Sequence, residues 1–189
     1  MSASFQRNLE REREFMEELG RAMTAWRCVE QSLYLLYAAL MRGANRHLVS
    51  VSFHHHLSFE ARVLLVGRCM FFVLSKKQKE QWKRLRKRLK TLNDIRNELV
   101  HSAFIIEGGT DGSQIPVIAP SFFDATAIPR ERAMNPTFRH DTEKIQKHRR
   151  NFIQLANDLR VFREISTFRI SRKTWRTASA AARTAKRSG

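Results

Sequence analysis

Apolar residues recur at alternating spacings of three and four along most of this chain, which is the spacing of an amphipathic helix. The first such run covers about residues 8–42. A second begins after Ser58, whose hydroxyl suits a helix N-cap, and reaches about residue 75. The same spacing marks a third helix over residues 76–101 and a fourth that begins after Asp141. The pattern therefore predicts a protein built mainly from four long helices.

The remaining stretches lack this helical pattern. Residues 43–57 include three adjacent histidines, which diverge on a helix or strand and predict a solvated loop rather than a zinc site. Residues 103–118 hold two apolar runs around a glycine-rich turn, which predicts a β-hairpin, and Pro116 limits it to a sheet edge. Residues 119–140 hold three prolines and no period, which favours a surface loop. The chain from Arg169 onwards has seven Lys or Arg and no acid, which is typical of a disordered tail.

These elements define one expected fold. Consecutive amphipathic helices of this kind form an up-and-down bundle. The sequence predicts an all-α protein, an up-and-down four-helix bundle with a small β-hairpin insertion and a basic C-terminal tail. We expect the bundle to take residues 1–168, the hairpin and loop insertion to occupy about residues 103–140 within it, and the tail to take residues 169–189.

The charge of the chain narrows the choice of partners. The 35 Lys and Arg residues outnumber the 18 Asp and Glu residues, so the formal net charge is +17 at pH 7. A field of that sign attracts polyanions, of which nucleic acid is the commonest. A membrane surface and the ribosome are the alternative partners.

The sequence predicts neither secretion nor a membrane span. The N-terminus lacks the apolar stretch of a signal peptide, and the most apolar run, residues 63–74, is interrupted by Gly67 and Arg68 and too short for a bilayer. Cys28 and Cys69 lie in apolar helical patterns, which predicts buried free thiols rather than a disulfide. We therefore expect a cytoplasmic protein with no membrane partner.

The third predicted helix ends in an unusual group of polar residues. Its apolar face contains Leu89 and Leu92 and continues with Arg96. One border of that face is predicted to be an outward-facing polar strip formed by Asn93, Asn97, His101 and Asp94. Burying part of a guanidinium is costly, so an arginine in this position needs a partner or a function.

These residue types suit the cleavage of RNA. Attack by a ribose 2′-hydroxyl needs one group to remove its proton, another to protonate the leaving 5′-oxygen, and positive charge for the developing phosphorane. Histidine performs either proton transfer near neutral pH, as His101 would here. The guanidinium of Arg96 would supply permanent charge and bidentate hydrogen bonds to phosphate, and Asn97 would orient the imidazole or the phosphate.

Residues 92–101, Leu-Asn-Asp-Ile-Arg-Asn-Glu-Leu-Val-His, resemble the signature of the HEPN superfamily (higher eukaryotes and prokaryotes nucleotide-binding domain). That signature is an Arg, a polar residue, three more residues and a His, on a late helix of the bundle. Trp26 and Glu30 in the first helix also resemble the first-helix pattern of bacterial members. The resemblance spans about residues 10–165, and its specific part is the ten-residue core.

The resemblance implies a homodimer in which both motifs line one cleft. It also implies metal-independent endoribonuclease activity, of the kind found in toxin–antitoxin and antiviral systems, with an antitoxin or other regulatory partner protein. In this interpretation Arg96 and His101 are catalytic, and Asn97, Asp94 and Glu30 support them. We expect no cofactor and no metal.

The third helix also carries the predicted RNA-binding residues. Lys83, Arg86, Lys87 and Lys90 precede the motif on the same helix, which favours a role in holding the RNA backbone. Trp175 in the basic tail is a candidate for stacking on a base.

Two other interpretations stay open. In the first, Arg96 bonds to Glu30 or to a backbone carbonyl across the bundle, and His101 only caps the helix C-terminus, where a histidine interacts favourably with the helix dipole. In the second, the protein is a non-catalytic bundle that binds nucleic acid or a partner protein through its charge.

Overall fold

The computed structural model describes residues 3–109, 113–119 and 138–185 of the chain. This part of the chain is mostly helical and has one small antiparallel hairpin, as the sequence predicts. Within it, no helix is both long enough and apolar enough to cross a membrane. The helices are α1 (Ala3–Leu40), α2 (Arg46–His54), α3 (Phe59–Val73), α4 (Lys76–His101) and α5 (Thr142–Ala185), and the strands are β1 (Ala103–Gly108) and β2 (Gln114–Ala119).

Side-chain caps begin two of the helices where the sequence predicts them. The Ser58 hydroxyl accepts a hydrogen bond from the backbone N–H of Ala61 at 3.1 Å, at the start of α3. The Asp141 carboxylate accepts one from the backbone N–H of Lys144 at 2.8 Å, at the start of α5. Each cap satisfies an N–H that has no partner within its own helix.

The loop predicted for residues 43–57 is wrong, because most of it forms α2. The side-chain oxygen of Asn45 caps this short helix and accepts a hydrogen bond from the backbone N–H of His47 at 2.8 Å. Val49 and Phe53, four residues apart, are its buried residues. A local cap and the burial of one pair of apolar side chains therefore stabilise this short helix.

The C-terminal region also differs from the expectation. Helix α5 continues to Ala185, where the sequence predicts a disordered tail from residue 169 onwards. Alanine and arginine, which are frequent in this stretch, have high helix propensity, and neither glycine nor proline occurs there before Gly189. Residues 120–137, most of the predicted surface loop, lie outside the described residues.

The described residues divide into two compact units. Unit 1 takes the described residues within 1–29 and 89–154, and unit 2 takes those within 30–88 and 155–189. In unit 1, Trp26 and Phe152 meet edge to face with ring centroids 5.2 Å apart. Such aromatic contacts contribute about 0.5–1.5 kcal/mol beyond the burial of area.

The hairpin of unit 1 is joined to the segment that precedes α5. Ala103 pairs with Ala119, and Phe104 pairs with Ile118. Ile118 also forms an isolated antiparallel bridge with His140. The ring of Phe104 lies 5.6 Å from that of Phe15 in α1, which attaches the hairpin to the apolar core of the unit.

In unit 2, α3 and α4 approach closely at Gly67. A Cβ atom at this position would lie 3.2 Å from Nε1 of Trp82. The indole of Trp82 is buried and stacks on Phe162 of α5, with ring centroids 6.2 Å apart. The absence of a side chain at Gly67 therefore leaves the space that the indole occupies.

Candidate nucleic-acid interface and active site

The candidate catalytic residues lie in the last turns of α4, within unit 1. Leu89, Leu92 and Leu99 are buried and fix the inward face of this segment. Asn93 is also buried, with 6% of its surface exposed. The sequence placed Asn93 on the outward polar border, and this prediction is wrong, because the elements packed around α4 cover a wider face than the leucine spacing shows.

Arg96 and Asn97 interact directly. The Arg96 guanidinium donates a hydrogen bond from Nη1 to Oδ1 of Asn97 at 3.0 Å, and both residues are half-buried. The bond uses one of the five N–H donors of the guanidinium. A half-buried arginine therefore has a neutral polar partner in its own turn of the helix.

His101 is exposed and is the last residue of α4. It follows Asn97 by four residues, so the two side chains are one turn apart and about 40° apart around the helix. Arg96 itself starts about 140° away from His101, and the hydrogen bond to Asn97 draws its guanidinium towards the side of the imidazole. Asp94 is exposed near the same border.

Glu30 belongs to unit 2, where Arg62 is its partner. Its carboxylate lies 3.9 Å from Nη1 of Arg62, and both side chains are largely buried. Nε of Arg62 also donates to the backbone carbonyl of His56 at 2.9 Å, which fixes the guanidinium. This ion pair explains why an acidic side chain lies at position 30 without requiring an interaction with Arg96.

The predicted RNA-binding residues of α4 lie on its outer surface. Lys83, Arg86, Lys87 and Lys90 are all exposed. A neighbouring cation, Arg88, is paired with the carboxylate of Asp158. The side chain of Trp175, the predicted stacking residue, lies outside the described side chains.

The structure also shows a polar cluster next to the motif that the sequence did not predict, in which the buried side chain of His140 contacts the half-buried Glu98 and His148. Nε2 of His140 lies 3.3 Å from a carboxylate oxygen of Glu98. Nδ1 of His140 lies 3.1 Å from Nε2 of His148. The one available signal was His148, an imidazole in the apolar face of the fourth predicted helix, because a buried polar group needs a partner.

Both imidazoles of this cluster are neutral at pH 7. Burial lowers the pKa of His140 below its ordinary value, and the charge of Lys144 acts in the same direction. Burial also lowers the pKa of His148 to about 4, with smaller contributions from His140, Lys147 and Lys144. The contact between His140 and Glu98 is therefore a hydrogen bond from a neutral imidazole to a carboxylate.

An open groove of about 570 Å³ lies elsewhere on unit 1, between α1 and α5. Two of the residues that line it contact the buried carboxylate of Glu18, Arg21 through Nη1 at 2.6 Å and Arg149 through Nε at 3.0 Å. Cys28 lines the groove and is exposed, so the predicted burial of this thiol is wrong. Cys69 is half-buried, and burial raises the pKa of its thiol.

The His, Cys, Asp and Glu side chains are the potential metal ligands of this chain. Within residues 3–109, 113–119 and 138–185, no group of three or more of them is placed to hold a metal ion. His54, the first of the three adjacent histidines, lies instead beside Tyr34, with ring centroids 5.3 Å apart.

Comparisons of the chain with protein-family models, curated proteins and solved structures gave no match.

Proposed function

We propose that this protein is a metal-independent endoribonuclease that cleaves single-stranded RNA at a composite site in a homodimer. The observation that carries the proposal is the exposed imidazole of His101, one helical turn from the hydrogen-bonded pair of Arg96 and Asn97. Residues 92–101 are also those that resemble the HEPN signature.

The proposed reaction uses the 2′-hydroxyl of the RNA as the nucleophile. One imidazole takes the proton of this hydroxyl while the 2′-oxygen attacks the adjacent phosphorus. A second imidazole protonates the 5′-oxygen as the bond from phosphorus to that oxygen breaks. The products are a 2′,3′-cyclic phosphate and a free 5′-hydroxyl.

The need for two proton-transfer groups favours a dimer. His101 is one imidazole, and a second copy of α4 would supply the other in the same cleft. Arg96 of each copy would stabilise the charge that develops on the phosphate, held in place by Asn97. In the proposed dimer each chain forms an up-and-down four-helix bundle, and Asp94 has a supporting role.

The basic residues of α4 would bind the rest of the RNA. Lys83, Arg86, Lys87 and Lys90 are exposed and precede the motif on the same helix. Their charges would hold the phosphates of a single strand by displacing counterions. We propose that Trp175 contributes to RNA binding by stacking on a base.

We further propose a cytoplasmic toxin or antiviral-defence effector that an antitoxin or regulatory protein restrains. Unrestrained cleavage of RNA would harm the cell that makes the enzyme, so a control is needed.

The alternative is a non-catalytic module that binds nucleic acid or a partner protein. The exposed cations of α4 favour it, because they would bind RNA whether or not His101 acts on it.

The proposal is tested by incubating the purified full-length chain with end-labelled single-stranded RNA in EDTA. We expect cleavage that yields 2′,3′-cyclic phosphate ends. The His101→Ala variant should cleave about 10²- to 10⁴-fold more slowly, as is usual when a general acid or base is removed.

The His47→Ala variant is the matched control, because His47 is an exposed histidine of α2 in the other unit. It should cleave RNA at the wild-type rate. Equal background cleavage by the wild type and both variants would reject the enzyme, and RNA binding without cleavage would favour the alternative module.

A further inference from the structure

The segment that leads into α5 is fixed on both sides of His140. The backbone N–H of His140 donates to the carbonyl of Ile118 at 2.9 Å, and the N–H of Ile118 donates back to the carbonyl of His140 at 3.0 Å. The next residue, Asp141, caps α5. The imidazole of His140 is thus held between β2 and the first turn of α5.

The side chain of His140 reaches α4 as well as α5. Only 5% of the side chain is exposed, and its two ring nitrogens contact Glu98 at 3.3 Å and His148 at 3.1 Å. His140 therefore contacts the hairpin through its backbone, and the last turn of α4 and the first turns of α5 through its imidazole.

The protonation of the three groups determines which atom donates and which accepts in each hydrogen bond. A carboxylate only accepts, so the neutral imidazole of His140 carries its proton on Nε2 and donates it to Glu98. Nδ1 of His140 then accepts from the Nε2–H of His148. In the described part of the chain, Nδ1 of His148 is buried without a hydrogen-bond partner, as suits the nitrogen that carries no proton.

Glu98 lies in the helical turn that carries His101. The backbone N–H of Ser102 donates to the carbonyl of Glu98 at 3.1 Å and closes this turn. The last carbonyls of a helix have no partners within it, and such ends fray. A side-chain tether from Glu98 to a buried, doubly fixed imidazole restrains the turn.

We propose that Glu98, His140 and His148 form a positioning relay, a chain of hydrogen bonds that holds the last turn of α4 and thereby the imidazole of His101. His140 and His148 are positioning residues, because they act through Glu98. The expected effect on kcat rests on the proposed nuclease function. The restraint of the α4 turn can be measured whether or not the protein cleaves RNA.

The first test compares two variants of His140. His140→Phe keeps a buried ring but removes both hydrogen bonds, whereas His140→Gln keeps an N–H donor for Glu98. We expect His140→Phe to lower kcat by about 10- to 100-fold, as misplacement of a catalytic group does, with KM changed less than about threefold. His140→Gln should restore most of kcat, which a role in core packing alone would not explain.

The second test measures amide hydrogen exchange of the full-length chain at neutral pH. The amides of residues 99–102 should exchange at least several-fold faster in His140→Phe and in Glu98→Ala than in the wild type. Glu98→Ala removes the other end of the same bond from a half-exposed position, so it serves if His140→Phe fails to fold. The amides of α3 in unit 2 are the internal reference.

The outcomes separate the two proposals. Unchanged exchange of residues 99–102 in Glu98→Ala overturns the relay, whatever the nuclease assay gives. Faster exchange with no RNA cleavage by the wild type supports the restraint and rejects the nuclease. Faster exchange with an unchanged kcat in Glu98→Ala overturns the positioning of His101.

Discussion

The guanidinium of Arg96 donates a hydrogen bond to the side-chain oxygen of its chain neighbour Asn97 at 3.0 Å. Consecutive residues on an α-helix point about 100° apart, so the arginine side chain bends around the helix to reach the amide. The bond directs the cation towards the border that carries His101. In the proposed mechanism, Asn97 therefore sets where the positive charge lies.

Replacing Asn97 by Asp should weaken catalysis. A carboxylate in this position would form an ion pair with the Arg96 guanidinium and repel phosphate, while the size of the side chain stays the same. We expect kcat/KM for a single-stranded RNA oligonucleotide to fall by about 100-fold, the lower end of the loss of about 10²- to 10³-fold that follows removal of one charge-stabilising donor.

The control for this variant is Asn151→Asp, which makes the same charge change at an exposed position of α5 in the same unit. Cleavage by Asn97→Asp as fast as by Asn151→Asp would show that the charge of Arg96 has no part in the reaction.

Charge reversal on α4 should weaken RNA binding. Changing Lys83, Arg86 and Lys90 to Glu removes three exposed cations from one helix. For a single-stranded RNA, the slope of log affinity against log salt concentration should decrease by about 2, since each lost phosphate contact contributes about 0.7. Fluorescence anisotropy at several salt concentrations measures this slope.

A triple variant with Arg11, Arg27 and Arg46 changed to Glu is the matched comparison. These residues are exposed cations of α1 and α2, so the net charge of the protein changes by the same amount. Equal slopes in the two triple variants would mean that RNA responds to overall charge and not to the α4 face.

The close approach of Gly67 to Trp82 predicts an effect on stability. Gly67→Leu would force a side chain into the indole, which a Cβ alone would already approach to 3.2 Å. Overpacking of this kind should lower the free energy of unfolding by about 1–3 kcal/mol, measured by urea denaturation.

Gly20 of α1 offers the opposite case, because a Cβ there would meet nothing within 4 Å. Gly20→Ala should raise the free energy of unfolding by roughly 0.5–1 kcal/mol through the lower flexibility of the unfolded chain. A Gly67→Leu protein as stable as the wild type would contradict the contact with Trp82.

The half-buried imidazole of His148 predicts that stability falls in acid. Its pKa is about 4 in the folded protein and 6.5 in an ordinary environment, so protons bind preferentially to the unfolded chain between these values. The stabilising contribution is present above pH 6.5 and is lost as the pH falls towards 4. The other titratable groups that act on this imidazole or its partner are Glu98, His140, Asp141, Lys144 and Lys147.

Thermal unfolding at several pH values checks this prediction. In His148→Gln, which cannot take up the proton, Tm should fall less between pH 6.5 and 4 than in the wild type. An equally steep fall in both proteins would assign the acid sensitivity to other groups.

Several elements could be predicted from the sequence because their signals are local. The caps at Ser58 and Asp141 and the spacing of apolar residues act within a few positions, and α3, α4 and the start of α5 lie where they indicate. Helix α2 was missed because Asn45 and two apolar residues are too few to show a period. The helical C-terminal region was not predicted, because a run of basic residues without acids is typical of a disordered tail even where alanine and arginine favour a helix.

Only the part of the candidate site that lies on the single helix α4 could be predicted from the sequence. Arg96, Asn97 and His101 are within six residues of one another, so their relative order on α4 follows from helical geometry. Asn93, four residues before Asn97, is nevertheless buried, because the neighbours of a helix decide which of its polar residues meet water.

By itself, the sequence determined the helical class, the hairpin and the placement of an arginine, an amide and an imidazole at the end of a basic helix, since period and capping are properties of short segments. Only the tertiary structure decided that His140 meets Glu98, 42 residues earlier in the chain, and His148 beyond it. The apolar residues between α4 and α5 have no regular spacing, so the sequence does not show that this segment packs back against the end of α4. Packing of that segment against both helices brings these groups together, and the exclusion of water there keeps the imidazoles neutral.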